Sequence, residues 1–171
     1  ELTELPASLI IIGGGYIALE LGQMFSRFGT SVTILARGKR ILSAYEPEIA
    51  QSVADVFREE GIAIHTRTTV SRVHGDARQV VVTLQVDGRH KELKVAKLLV
   101  ATGRTPNTEH LGLELPGVEL DARGFVKVND ELRTSAGHVY AAGDVIGSYT
   151  GSQMATPVGA QDGGIAAENA L

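Results

Sequence analysis

Six consecutive residues, Gly13-Gly14-Gly15-Tyr16-Ile17-Ala18, have the types and spacing of a phosphate cradle. They fit G-x-G-x-x-A and sit between an apolar run at 8–12 and a helical pattern through Ile17, Leu21, Met24, Phe25 and Phe28. Strand, tight turn and helix are expected in that order. In such a turn Gly13 permits the sharp reversal, Gly15 lets a pyrophosphate approach the backbone, and Ala18 lets the helix pack close to the strand. The helix start beyond Gly15 adds unpaired N–H groups and the positive end of the helix dipole. A flexible glycine turn without a ligand is the plain alternative, and the flanking strand and helix patterns weigh against it.

The end of the second strand decides which dinucleotide such a cradle takes. NAD sites usually carry an acid there, about 20 residues beyond the glycines, to hold the ribose hydroxyls. This chain instead reads Leu35-Ala36-Arg37-Gly38-Lys39-Arg40, with no acid and three cations. A guanidinium can hold a 2′-phosphate bidentately, so Arg37 is the first candidate, with Lys39 and Arg40 as helpers. NADPH is therefore expected over NADH, against the alternative of a solvated basic loop.

The elements that must position these groups follow from patterning. Residues 31–35 read as a second strand, rich in β-branched side chains, parallel to the first if the intervening helix is a crossover. Glu46-Pro47-Glu48 starts a second helix whose apolar stripe, Ile49, Val53, Val56 and Phe57, runs on toward Gly61. Residues 62–64 suggest a third strand. Residues 70–73, 80–86 and 92–95 suggest further strands, separated at Gly75-Asp76 and Asp87-Gly88, and Asp-Gly is a strong hairpin signal. A buried-type strand at 97–102 ends at Gly103 and Pro106. The character changes near Asp121, with small strands at 124–128 and 139–142, a glycine-rich loop, and a last helix from about 156 to 171. The fold class expected is α/β: a Rossmann-like parallel sheet with crossover helices and an antiparallel hairpin or meander.

Composition narrows the function classes. With 171 residues and 43% hydrophobic content the chain can bury a core. A net charge of -4 gives no electrostatic reason to expect a nucleic acid or an anionic membrane as partner. No apolar run nears the roughly 18 residues a membrane helix needs, and residues 1–5 lack a leader's basic and apolar regions, so a soluble, cytoplasmic protein is expected. The first residue is Glu, which suggests a chain cut from something longer. There is no cysteine, hence no disulfide, thiolate metal site or cysteine nucleophile in this segment. His65, His74, His90, His110 and His138 are too scattered for a helical zinc motif, and no metal site is expected.

Three stretches together resemble the pyridine nucleotide-disulfide oxidoreductases, a flavoenzyme family. Residues Gly13 to Glu20 are similar to its NAD(P) motif, Ala101-Thr102-Gly103-Arg104-Thr105-Pro106-Asn107 to its domain-junction motif, and Thr134 through Val139-Tyr140-Ala141-Ala142-Gly143-Asp144 to its second FAD motif. The resemblance implies that residues 1–120 are an NAD(P)-binding domain and 121–171 a returning fragment of the FAD-binding domain. It implies that Tyr16 and Glu20, one helical turn apart, lie near the nicotinamide and flavin rings. The tyrosine would shield the flavin, and the glutamate would pair with a lysine from elsewhere. By the same resemblance Gly103 belongs to the cofactor-binding junction, Asp144 accepts a hydrogen bond from the flavin ribityl chain, and Thr156-Pro157-Val158 passes beside the flavin. Cofactors implied for the intact enzyme, a homodimer in this family, are NADP(H) and FAD. The fragment itself would be a monomer lacking the first FAD motif, the redox-active cysteine pair and the dimerisation domain, and so catalytically incomplete. Within the family, Leu35-Ala36-Arg37, the junction motif and the terminal Ala166-Ala167-Glu168-Asn169-Ala170 are most similar to the branch that reduces mercuric ion. Glutathione-reducing and dihydrolipoyl-oxidising branches stay open, as does a non-catalytic nucleotide-binding module.

Overall fold

A computed structural model describes residues 2–76, 78–86, 89–148 and 154–171. Strand β1 (Ser8–Ile12) is buried through its three central residues, as an uninterrupted apolar run in a parallel sheet must be. The glycine turn leads into α1 (Tyr16–Arg27), which crosses over to β2 (Ser31–Leu35). The strands pair in parallel from Ser8 opposite Ser31 to Ile12 opposite Leu35. Helix α2 (Pro47–Glu59) carries proline and Glu48 in its first turn and Arg58 in its last, all of which suit helix-end geometry and dipole. It delivers the chain to β3 (Ala63–His65), parallel to β2.

The chain then leaves the sheet for an antiparallel meander, β4 (Thr68–Gly75), β5 (Val80–Val86) and β6 (Arg89–Val95), and returns as β7 (Lys97–Val100) beside β1. Sheet order is β3-β2-β1-β7, so β1 has connections departing on both sides. In open α/β sheets ligands bind at that kind of switch point, outside the carboxyl ends of the strands. The alternation of side chains along β1 divides the core: Leu9 and Ile11 pack with Ala18, Leu19, Ala54 and Phe57 of the helices, while Ile10 packs with Val82 and Leu84 of the meander. Each leucine, isoleucine or valine so buried contributes about 1.5–3 kcal/mol.

The α/β class and the antiparallel addition agree with the sequence, and β1, β2 and β5 have the expected limits. Strand β3 is displaced by one residue, leaving Ile62 buried just before it. Strand β7 stops at Val100, although the Ala101 amide still donates to the Ile12 carbonyl at 2.8 Å. The Asp87-Gly88 turn lies outside the described residues, as does part of the glycine-rich loop, at 149–153.

By its internal contacts the chain divides into two compact units, Glu1–Gly103 and Arg104–Leu171. The second has its own core of Val118, Val126, Val128, Leu132, Ala136, Ile146 and Ala166. The strands expected at 124–128 and 139–142 are single bridges instead, Leu120 to Val126, Val128 to Thr134 and Arg133 to Tyr140. Local side chains explain the difference: Asp121 Oδ1 accepts from the Arg123 and Phe125 amides, and Asn129 Oδ1 from those of Glu131 and Arg133. Amides captured in turns cannot extend a ladder. A 3₁₀ turn (Gly143–Ile146) and α3 (Thr156–Ala170) follow, and Tyr140 Oη donates to the Asn169 carbonyl at 2.7 Å to tie down the end of α3. No helix among the described residues is long and apolar enough to cross a membrane.

Candidate functional site

Gly13 fixes the turn after β1. Its amide donates to the Leu35 carbonyl at 2.9 Å, and its φ of 139° is a conformation that L side chains rarely adopt. A Cβ there would also collide with the carbonyl of Ala101. Gly15 caps α1 in an extended conformation with no side-chain hydrogen bond, and a Cβ built on it would meet nothing within 4 Å. The α1 start therefore offers N–H groups beside open space, which fits the pyrophosphate of a dinucleotide. Ala18 is fully buried against the sheet and Ile17 is half-buried, so they hold the helix in place. Tyr16, 43% exposed, and Glu20, exposed, lie on one face of α1.

The basic loop after β2 adjoins this cradle. The Leu42 amide donates to the Gly14 carbonyl at 2.7 Å, and Ile41 is buried beside Gly14. Arg40 braces the loop itself, donating to the carbonyls of Ser43 at 3.2 Å and Tyr45 at 3.1 Å. Arg37 and Lys39 are exposed, and among the described residues no hydrogen bond or ion pair engages their side chains. Gly103, with φ 131°, leaves β7 from the same end of the sheet. The structure thus gathers Gly13, Gly15, Tyr16, Ile17, Ala18, Glu20, Arg37, Lys39, Arg40 and Gly103 at the carboxyl ends of β1, β2 and β7.

Asp144 and Thr156 belong to the second unit, on a 3₁₀ turn and a helix that pack against each other there. The 3₁₀ turn holding Asp144 approaches α3 closely, because Gly143 and Gly159 face each other without side chains; a Cβ on Gly159 would lie 3.2 Å from Gly143 Cα. Thr156 opens α3 and is exposed. One group that motif reading passed over is Arg104, quoted there only as part of the junction motif. Its guanidinium donates to Asp144 Oδ2 at 2.7 Å and to the Met154 carbonyl at 2.8 Å. No sequence spacing relates residues 40 and 50 positions apart, so this clamp was not legible in advance.

The family model for pyridine nucleotide-disulphide oxidoreductases matches residues 1–164. The chain is 42% identical over its whole length to a mercuric reductase of Staphylococcus aureus, of which it covers 30%. It is 39% identical over 146 residues, 85% of the chain, to a dihydrolipoyl dehydrogenase of Staphylococcus aureus, covering 31% of that protein. Among solved structures, the Cu(II) complex of the HOCl-induced flavoprotein disulfide reductase RclA from Escherichia coli superposes with a TM-score of 0.87 at 36% identity, over all of this chain and 38% of that one. The chain spans about a third of the length of the curated relatives it matches.

Proposed function

The chain belongs to the pyridine nucleotide-disulphide oxidoreductase family, and from that premise we propose that it is the NADPH-binding part of an FAD-dependent reductase. The observation that carries this reading is the cradle at Gly13–Gly15 joined by a hydrogen bond to a loop whose exposed Arg37 and Lys39 side chains are unengaged among the described residues. Gly13 and Gly15 admit the pyrophosphate and the α1 N-terminus stabilises its charge. Arg37, with Lys39, takes the 2′-phosphate that distinguishes NADPH from NADH. Tyr16 and Glu20 flank the nicotinamide, and Gly103 marks the junction. Residues 1–120 serve the pyridine nucleotide and 121–171 the flavin, where Asp144 accepts from the ribityl chain and Thr156 borders the ring.

When bound, the nicotinamide and flavin supply the hydride and electron transfer. What these residues provide is binding and orientation. The sequence contains no cysteine, so the disulfide chemistry of the family needs residues beyond those present here. For the whole protein the substrate proposed is Hg(II), supported by 42% identity to a mercuric reductase across the full chain. A dihydrolipoyl dehydrogenase relative is the second reading, favoured by 39% identity over 85% of the chain. The protein is proposed to act in the cytoplasm, the intact enzyme as a homodimer and this chain alone as a monomer.

Titration calorimetry of the chain with NADPH and with NADH tests the reading, alongside Arg37→Ala. Tighter NADPH binding is expected, with about tenfold or more lost in the variant, since a charge-assisted contact contributes roughly 1.5–3 kcal/mol. Equal affinity for both nucleotides in the parent and the variant would refute the assignment of Arg37.

A further inference from the structure

The basic loop is not alone at the end of β2. Three backbone hydrogen bonds stitch it to the turn after β3: Ala36 N to the His65 carbonyl at 2.8 Å, Arg67 N to the Gly38 carbonyl at 2.8 Å, and Thr68 N to the Ala36 carbonyl at 3.1 Å. Arg67 therefore lies backbone to backbone with Gly38, between Arg37 and Lys39 in the chain. The turn is firm, because Thr68 is buried and its Oγ1 donates to the Thr66 carbonyl at 2.9 Å. Arg67 itself has φ 50°, the left-handed region that glycine or asparagine enters at least cost. An arginine held there meets no need of the turn, and such strain gathers where a side chain has a task. The Arg67 side chain is exposed, and among the described residues it makes no hydrogen bond or ion pair.

We propose that Arg67 is a further specificity-determining residue, a second guanidinium that meets the nucleotide's 2′-phosphate together with Arg37. The inference rests on the NADPH reading above. A phosphate monoester carries close to two negative charges and three acceptor oxygens, more than one guanidinium satisfies. Arg40 is engaged by the Ser43 and Tyr45 carbonyls, so the second planar donor must come from elsewhere. Arg67 supplies it from a different strand end, so that the phosphate is gripped from two elements rather than from one loop. NADH, with hydroxyls at that position, gains nothing from the second cation.

The test uses adenosine 2′,5′-bisphosphate and adenosine 5′-phosphate as probes, which isolate the adenine end from any nicotinamide contact. Each is titrated calorimetrically into the full chain and its Arg67→Gln, Arg67→Gly and Arg37→Gln variants. Arg67→Gln should weaken the bisphosphate about tenfold, leave the monophosphate unchanged, and reduce the salt dependence of binding. Arg67→Gly relieves the left-handed backbone, so it should melt at or above the parent temperature and still bind the bisphosphate about tenfold more weakly. That combination separates recognition from folding. If Arg37→Gln loses bisphosphate affinity while both Arg67 variants bind like the parent, the Arg67 inference is overturned and the nucleotide reading stands. If the parent does not prefer the bisphosphate at all, the nucleotide reading fails, and the inference with it.

Discussion

At the scale of single residues, Gly13 makes the sharpest demand. Its φ of 139° and the nearness of the Ala101 carbonyl leave no room for a side chain. Gly13→Ala should destabilise the chain by about 2–4 kcal/mol in urea unfolding, and should weaken dinucleotide binding even where the variant remains folded. Asp121 gives a pH signature. Burial pushes its carboxyl up, but the Phe125 and Arg123 amides and the Arg123 guanidinium outweigh this and hold it below the ordinary value of 3.8. Near that pH the unfolded chain binds more protons than the folded one, so the stabilisation is complete above 3.8 and fades as pH falls below it. Asp121→Asn keeps the oxygen that accepts the two amides and removes the titration. The stability difference between parent and variant, followed by denaturant unfolding, should therefore shrink from about pH 5 to about pH 3; a difference constant over that range would contradict the cause given.

At the scale of elements, the packing of the meander on the sheet is the contact most open to test. Leu84 of β5 is 2% exposed and packs with Ile10 and Leu35. Leu84→Ala should cost about 2–5 kcal/mol, read as a lower urea midpoint with an unchanged slope. In the second unit the close approach of Gly143 and Gly159 sets the position of α3. Gly159→Leu should cost about 1–3 kcal/mol and displace Thr156 relative to Asp144, which amide chemical shifts at those two residues would register. Elements with strong local patterns were legible from sequence: β1 as a continuous apolar run, β2 from its β-branched residues, and α2 from its proline and acids. The bridges around residues 120–140 were not. Alternation there resembles a strand, but Asp121 and Asn129 take the amides into turns, and a periodic pattern does not reveal that competition.

At the scale of the whole molecule, two compact units each hold a hydrophobic core of their own. The cradle and the basic loop lie wholly within Glu1–Gly103, so a chain ending at Gly103 should retain NADPH affinity within about threefold, if that unit folds independently. The candidate site was legible where chemistry depends on contiguous residues, at Gly13 to Ala18 and Arg37 to Arg40. Arg67 and Arg104 escaped because their partners are set by strand order and by turns distant in sequence.

The nucleotide assignment is tested most directly by titrating NADPH into the ¹⁵N-labelled chain and following every backbone amide. The largest shifts are expected at Gly13, Gly15, Tyr16, Ile17 and Ala18, with a second group at Arg37 to Arg40 that weakens when NADH replaces NADPH. Shifts confined to other surfaces, or none from a folded sample at millimolar nucleotide, would contradict the claim that this cradle and this loop bind NADPH.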